Sequence, residues 1–309
     1  MEPMTQDLVS ALLKERRRDR LWRNIRSLAW LALIATVVAN LLITSHTPST
    51  TGGSDGHGYV ALIRLNGMIA PGSGFSAEQV LPALQEAFGD HDAKGVILDI
   101  NSGGGTPVQA SIIHDEVIKL KNKYHKKVIV VGEDMLASGA YFVAVSGDKI
   151  YVNPNTVTGS IGVIMEGFGF DEVIKKLGVD RRVIASGAHK DRFDPFMPVL
   201  PEDKIKLQSV IDEVHQNFNQ VVMQGRQGRL HATPEELFTG DFWTGTSALK
   251  LGLVDGLGNL SDVMQTEFNV TSYKDYSDNN NFLKMLTDQL SSFLSLPLGM
   301  TQSRLLEKI

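Results

Sequence analysis

The segment GVILDI, residues 95–100, is a short and almost uninterrupted apolar run. A strand that is buried on both faces of a parallel sheet has this composition. The run KVIVVG, residues 127–132, has the same character, and VQASIIHDEVIKLKN, residues 108–122, has the apolar spacing of a helix between them. Strand, helix and strand in this order predict a β-α-β unit with parallel strands and a right-handed crossover.

The same alternation continues on both sides of this unit. The further predicted strands are YVALIRLNGMI (59–69), KIYV (149–152), SIGVIM (160–165) and RRVIAS (181–186). The further predicted helices are SAEQVLPALQEAF (76–88), FDEVIKKLG (170–178) and the long amphipathic stretch 201–226. Repeated units of this kind predict an α/β protein with a mainly parallel sheet.

Composition excludes several classes of site. The 309 residues include no cysteine, so disulfides, thiolate zinc sites and cysteine nucleophiles are excluded. The net charge of −5 argues against a nucleic-acid-binding protein. An apolar content of 42% is sufficient for a sizeable core. The sequence contains no motif that requires a metal or another cofactor, and we expect none.

Charge is distributed unevenly at the N-terminus. Residues 1–26 hold seven basic and four acidic residues, and no further charged residue appears until Asp55. Within this gap lies LAWLALIATVVANLLI, residues 28–43. Sixteen helical residues span about 24 Å, close to the ~30 Å hydrocarbon core of a bilayer once polar flanks are added. We therefore predict a transmembrane helix over residues 27–45.

This helix implies an order of segments along the chain. The basic residues 1–26 are predicted to be cytoplasmic, which places the remainder on the outer side of the cytoplasmic membrane. A cleaved signal peptide is the alternative, but 26 residues before the apolar run are long for its basic region. Residues 46–57 are predicted to be a flexible linker and residues 58–275 the main domain.

The C-terminal tail, residues 276–309, has helical apolar spacing that is interrupted at Pro297. An amphipathic segment of this kind packs on its own domain, on a neighbouring subunit or on a membrane surface.

A single serine lies in the apolar run EDMLASGAYFVAV, residues 133–145. Ser138 would begin a short helix, where serine is a common N-cap. At the same position a serine can instead act as a nucleophile, if a base removes its proton. The local residues leave both interpretations open.

Candidate bases follow Ser138 in the sequence. His215 lies in the long predicted helix and is expected to face solvent, and His231 lies in a polar loop. His189 and Lys190 are adjacent in ASGAHKDRFDPFMPV. A lysine acts as a base only when its amine is largely neutral, which requires desolvation or a nearby cation. Sequence chemistry alone does not decide between these two neighbours.

Three glycines follow the predicted strand 95–100 in INSGGGTPV, residues 100–108. The phosphate-binding patterns G-x-G-x-x-G and G-K-[ST] are absent, so a nucleotide site is weakly supported. Glycine also permits a close backbone approach that directs an N–H group at a developing oxyanion. The alternative is a plain turn between strand and helix.

Four motifs together resemble one known family. INSGGG, MLASGAYFVAV, NPNTVTGSIGVIME and SGAHKDRFDPF occur in the order and spacing of the signal peptide peptidase A family of serine–lysine proteases. FTGDFWTGTSALKLGLVDGLGNL is similar to a later segment of that family. The resemblance covers about residues 58–265 and implies the ClpP/crotonase-type α/β superfold.

The resemblance also implies roles for individual residues. Ser138 matches the nucleophile and Lys190 the general base, while Ser160 matches the serine that orients the lysine amine. Gly105 matches the glycine whose N–H serves the oxyanion hole, and Gly139 would supply the second N–H.

Two positions depart from the family pattern. Gly103 stands where the family usually has proline, which loosens the glycine turn. Ala140 replaces the second glycine after the nucleophile, and its methyl group narrows the cleft without removing a catalytic group.

The resemblance implies a membrane-anchored endopeptidase that degrades remnant signal peptides and assembles into a ring-like homo-oligomer. Two other classes remain open: a crotonase-type acyl-CoA enzyme, which would need carboxylates near the glycine turn, and an inactive membrane scaffold of the same fold. Intact Ser138, Lys190 and Ser160 argue against the scaffold.

Overall fold

The computed structural model describes residues 22, 24–34, 36, 50–51 and 58–277. The chain divides into two compact units, one of residues 1–49 with 280–309 and the other of Thr50–Asn279. The second unit contains the sheet and the candidate site.

The elements follow one another in a largely alternating order. The helices are α1 (residues 24–34), α2 (Ala77–Gly89), α3 (Pro107–Tyr124), α4 (Gly139–Ala144), α5 (Asp171–Lys176), α6 (Pro201–Gly225), α7 (Pro234–Leu237), α8 (Gly245–Leu251) and α9 (Leu260–Val263), which a π-helical turn (Met264–Phe268) extends. The strands are β1 (Thr50–Thr51), β2 (Tyr59–Asn66), β3 (Ala93–Ser102), β4 (Val128–Ala137), β5 (Lys149–Val152), β6 (Val157–Gly159), β7 (Phe242–Thr244), β8 (Gly256–Leu257) and β9 (Tyr273–Asp275).

The strands form one sheet with the order β1-β9-β2-β3-β4-β5-β8. Pairing is parallel throughout this path except between β1 and β9. β6 branches from the end of β4 in parallel, and β7 pairs antiparallel with β6. The predicted α/β class and the mainly parallel sheet are therefore confirmed.

The apolar runs of the central strands explain the packing on both faces of the sheet. Leu98 and Ile100 of β3 point into the larger core cluster, which α2, α3 and α4 cover. Ile97, one residue earlier, points into a smaller cluster together with Val263 and Phe268. Because side chains alternate along a strand, a continuous apolar run fills both layers at once.

Two predicted strands are wrong. Residues 160–165 and 181–186 have no strand structure, and residues 181–186 are all exposed. Both segments have β-forming composition, but neither has a partner strand in the described part of this single chain. A strand is stable only when its backbone groups are paired in a sheet.

The predicted anchor and tail lie largely outside the described residues. Of residues 27–45, only 27–34 and 36 are described; 24–34 form helix α1, and its side chains are exposed. No helix in the described part is both long and apolar enough to cross a bilayer. The tail 276–309 is described only as far as residue 277.

Candidate active site

Ser138 lies at the junction between β4 and α4. Its backbone has φ 53° and ψ −125°, a conformation that is strained for a residue with a side chain. Its N–H donates to the carbonyl of Gly159 at 2.8 Å. The hydroxyl makes no capping hydrogen bond to helix α4. The serine therefore begins the helix as predicted, but its side chain is not used as a cap.

The glycine turn after β3 packs against this serine. Gly104 has φ 99°, and a Cβ atom added there would lie 2.8 Å from the Cβ of Ser138. Gly105 has φ 155°, and an added Cβ would lie 2.0 Å from the carbonyl oxygen of Ile69. The bridge to Ile69 fixes the turn, since Thr106 N–H donates to the Ile69 carbonyl at 2.8 Å. Only glycine fits at these two positions.

The N–H groups of Gly105 and Gly139 lie next to each other. A Cβ atom built on Gly139 would lie 3.2 Å from the backbone nitrogen of Gly105. Gly139 is the first residue of α4, where an N–H has no partner within the helix. Among the hydrogen bonds of the described residues, neither N–H donates to an acceptor. This arrangement suits a pair of donors to an oxyanion.

Ser160 follows the short strand β6, which pairs with the end of β4. It has φ 49°, and its N–H donates to the carbonyl of Asp241 at 2.7 Å. The preceding Gly159 has φ 92°, and an added Cβ would lie 2.5 Å from the Trp243 ring. Two consecutive residues in the left-handed region turn the chain away from the sheet directly beside Ser138.

One cavity of about 820 Å³ connects these groups. Gly105, Ser138, Gly139 and Ser160 all line it. Its apolar wall consists of Val108, Ile112, Phe142, Val163, Ile164, Ile211, Val214 and Phe218. Polar groups of α6 and of the loop before β7 also line it, namely Gln208, Asp212, His215, Asn217 and Thr239. The structure thus brings four of the five predicted site residues together around an apolar cleft.

Lys190 is the predicted site residue that the single chain does not bring to Ser138. It lies exposed in a turn, its N–H donates to the carbonyl of Gly187 at 3.2 Å, and it is not among the residues that line the cavity. His189, the alternative base, is exposed in the same turn and is also absent from the lining. The single chain therefore does not decide between the two.

His215 is a site residue that the sequence interpretation missed. Its expected solvent-facing position is wrong, because it is half-buried and lines the cavity. Its Nε2 lies 3.2 Å from the carbonyl oxygen of Ile161. The relevant signal is the apolar stripe of α6: Ile211, Val214 and Phe218 lie on the same helical face as His215 and line the same cavity.

Two carboxyl groups with shifted pKa values, Asp99 and Glu267, belong to the other face of the sheet. Burial raises the pKa of Asp99 to about 6, and the nearby charge of Glu133 adds to this, while Arg64 opposes it. Burial also raises the pKa of Glu267, but hydrogen bonds from Lys127, Lys149 and Tyr151 outweigh it and bring the value to about 2. Neither carboxyl lines the Ser138 cavity.

Among the described residues, no group of three or more histidine, aspartate or glutamate side chains is arranged to hold a metal ion.

The chain is similar to parts of several longer proteins. The chain is 40% identical over 214 residues to the Na(+)/H(+) antiporter NhaA of Brucella abortus, covering 68% of this chain and 29% of that protein. It is 30% identical over 256 residues to Protease 4 of Haemophilus influenzae, covering 81% and 41%. It is 29% identical over 224 residues to the chloroplastic serine protease SPPA of Arabidopsis thaliana, covering 70% and 32%. The chain thus spans less than half the length of each of these relatives.

The chain was also compared with a solved structure. The 1510-N membrane-bound stomatin-specific protease, in a mutant form, superposes with a TM-score of 0.44 at 17% identity, over 67% of this chain and 84% of that chain.

The family model of peptidase family S49 matches residues 120–293. This range contains Ser138, Ser160 and Lys190 and covers more than half of the chain. The match and the arrangement around Ser138 lead to one conclusion: the chain belongs to peptidase family S49, a family of serine peptidases.

Proposed function

We propose that the protein is a membrane-anchored serine endopeptidase of the ClpP/crotonase-type superfold, with Ser138 as nucleophile and Lys190 as general base. The observation that carries this proposal is the convergence of a strained serine with two unpaired N–H groups in one apolar cavity. Strained backbone of this kind is typical of functional sites, where it aims a side chain at the reacting atom.

The chemistry follows from these positions. The neutral amine of Lys190 takes the proton of the Ser138 hydroxyl as its oxygen attacks a peptide carbonyl. The N–H groups of Gly105 and Gly139 donate to the resulting oxyanion, an effect typically worth about 3–4 kcal/mol per donor. The protonated lysine then gives its proton to the leaving amine, which leaves an acyl-enzyme. Water, deprotonated by the same lysine, hydrolyses the ester and restores both groups.

The lining of the cavity supports an apolar peptide as substrate. Phe142 and Phe218 are in ring contact at 5.2 Å and form part of the wall beside Ser138. Val108 and Ile112 of α3 form another part of it. When apolar side chains of a peptide bind there, their surface is removed from water, which stabilises the complex by about 25 cal/mol per Å² of buried apolar surface. Remnant signal peptides, which are apolar, are the substrate class that we propose.

We further propose that Lys190 reaches Ser138 from a second copy of the chain in a ring-like homo-oligomer. Residues 163–200, which carry Lys190, expose many large apolar side chains, including Ile164, Phe168 and Ile184. A concentration of exposed apolar side chains in one segment supports a protein interface there. The segment also contains the strand-like residues 181–186, whose backbone gains partners when copies associate.

Co-expression of two inactive variants tests this arrangement. Ser138→Ala retains the lysine, and Lys190→Ala retains the serine, so each alone should be inactive on an apolar peptide. If the dyad forms between copies, a random mixed assembly contains about one quarter of intact sites. We therefore expect about a quarter of wild-type turnover from the mixture. An inactive mixture, when co-expressed wild-type assemblies are active, would show that each chain supplies its own lysine.

We propose residues 27–45 as the membrane anchor, with the catalytic unit on the outer side of the cytoplasmic membrane. The support is the charge-free run after the basic segment 1–26. Protease added to intact spheroplasts should digest the catalytic unit. Its protection until the membrane is permeabilised would contradict this orientation.

A further inference from the structure

His215 connects the long helix α6 to the backbone beside Ser138. Its Nε2 lies 3.2 Å from the carbonyl oxygen of Ile161, across 54 positions of sequence. Because a carbonyl oxygen only accepts hydrogen bonds, Nε2 must carry the proton in this contact. The ring is half-buried and lines the Ser138 cavity. The bond therefore crosses from one wall of the cavity to another.

The acceptor belongs to a segment of three residues that serves the site. The Gly159 carbonyl accepts from the N–H of Ser138 at 2.8 Å. The next N–H, that of Ser160, donates to the carbonyl of Asp241 at 2.7 Å. The side chain of Ile161 is fully buried, and its carbonyl is the group that His215 contacts. Each of the three residues thus has a backbone group in a hydrogen bond, and these bonds lead to three different parts of the fold.

This segment needs such restraint because of its backbone. Gly159 and Ser160 have φ values of 92° and 49°, which place both in the left-handed region. A residue with a side chain in that region is strained and persists only where its surroundings hold it. Loss of the hydrogen bond from His215 to the Ile161 carbonyl would remove one restraint on the backbone that follows Ser160. The hydroxyl of Ser160 would then sample a wider range of positions.

We propose that His215 is a positioning residue, which acts through the Ile161 carbonyl to hold Ser160 in the geometry that catalysis uses. The inference rests on the proposed function, since Ser160 has a catalytic task only if Ser138 and Lys190 form the dyad. His215 does not exchange a proton with the substrate. It supplies one N–H donor, and the position of that donor is its contribution.

The test compares two substitutions that differ in this donor. His215→Leu retains bulk and removes the N–H, whereas His215→Gln offers an amide N–H at about the position of Nε2. A hydrogen bond of this kind is worth about 0.5–1.5 kcal/mol, which corresponds to roughly a 2- to 12-fold change in rate. We expect kcat to fall by about 3- to 10-fold in His215→Leu with KM within about 2-fold, and to return to near wild type in His215→Gln.

A matched control exists elsewhere in the chain. His231 also contacts a backbone carbonyl, with Nδ1 3.0 Å from the oxygen of Lys250, but it lies in a loop and does not line the cavity. His231→Leu should leave kcat unchanged. Should His215→Leu fail to fold, His215→Asn replaces it, because the shorter amide cannot reach the Ile161 carbonyl.

A double-mutant cycle identifies the route of the effect. If His215 acts only through Ser160, His215→Leu should cause no further loss of kcat in a Ser160→Ala background. Full additivity of the two losses, wild-type kcat in His215→Leu, or equal losses in the Leu and Gln variants would each overturn the proposal.

Ser138→Ala distinguishes failure of the proposed function from failure of the proposed role of His215. Retained turnover in that variant contradicts the proposed function itself, whereas an inactive Ser138→Ala with a fully active His215→Leu contradicts only the role of His215.

Discussion

The two halves of the proposed dyad are built differently. Ser138 lies between β4 and α4, and every residue of α4 is buried in the core. Lys190 lies in an exposed turn within residues 163–200, where the six-residue helix α5 is the regular structure and contains no buried residue. The sheet and α4 thus hold the proposed nucleophile and oxyanion donors in place, whereas the proposed base lies on a segment that one chain does not pack.

This difference indicates where the proposed assembly would contribute to function. Ile184 is fully exposed, and Ile164 and Phe168 are about four-fifths exposed. Burying a side chain of this size stabilises a contact by roughly 1.5–3 kcal/mol. An assembly that covers these side chains would order the segment and the lysine with it. Catalysis would then depend on association.

The largest effect is expected from removing either member of the dyad. Ser138→Ala and Lys190→Ala should each lower kcat/KM on an apolar peptide by more than about 10³-fold, since both groups act as one unit. Lys190→Arg should be equally inactive because guanidinium stays protonated. Labelling with a fluorophosphonate probe should require Ser138.

His189 provides the control in the same turn. His189→Ala should retain substantial activity, because its ring has no role in a serine–lysine mechanism. An inactive His189→Ala together with an active Lys190→Ala would assign the base to the histidine and refute the dyad.

The oxyanion donor on the packed half should come next in size. Gly105→Ala places a methyl group 2.0 Å from the Ile69 carbonyl, so the turn must move and carry its N–H away from the cavity. We expect kcat to fall by about 10²- to 10³-fold. Gly74→Ala is the matched control, as an added Cβ there has no atom within 4 Å. Equal kinetics of the two alanine variants would rule out the Gly105 N–H as a donor.

Ser160 is the residue that we propose to connect the two halves, and its loss should have an intermediate effect. Its proposed task is to orient the lysine amine by hydrogen bonding. Ser160→Ala should lower kcat by about 10- to 100-fold, which is less than loss of the nucleophile because positioning effects are smaller. Steady-state kinetics on the same peptide would measure it. Wild-type kcat in this variant would make Ser160 a structural residue only.

The smallest effect concerns the stability of the packed half alone. The pKa of Glu267 is about 2 in the fold, below the ordinary value of about 4.3. The stabilisation that the ionised Glu267 carboxylate gives to the fold is therefore present above about pH 4.3 and is lost as pH falls toward 2. Glu267→Gln removes the ion pairs with Lys127 and Lys149 and should lower the free energy of unfolding by about 1–2 kcal/mol at pH 7. The effect is limited to this size because both lysines are partly exposed, so that solvent screens the pairs.

Urea unfolding at pH 7 and at pH 3 measures this contribution. The difference in unfolding free energy between wild type and Glu267→Gln should be smaller at pH 3, because the Glu267 carboxyl of the unfolded chain is then largely protonated. A constant difference at both pH values would mean that the charge of Glu267 does not stabilise the fold. Activity per folded assembly at pH 7 should be unchanged, because Glu267 does not line the cavity.

The amino-acid sequence by itself determined the elements whose signal is local. The apolar run at 95–100 lies within β3, the helical spacing at 108–122 lies within α3, and Ser138 begins a short buried helix, all as predicted. Their burial follows from periodicity and composition, which neighbouring residues define. The glycines beside Ser138 were also recognisable, because the motif requires them at a sharp turn.

Only the tertiary structure decided the features that depend on distant partners. The segments 160–165 and 181–186 have strand composition, yet neither pairs in the described part of the chain, because a strand needs a second backbone beside it. The helical spacing of α6 puts His215 on the apolar stripe of Ile211, Val214 and Phe218, but only the packing of α6 decided that this stripe faces the Ser138 cavity. The same reason applies to Lys190 and Ser138. The motifs identify both residues in the sequence, but only the packing of one segment against another decides whether the lysine amine lies near the serine hydroxyl.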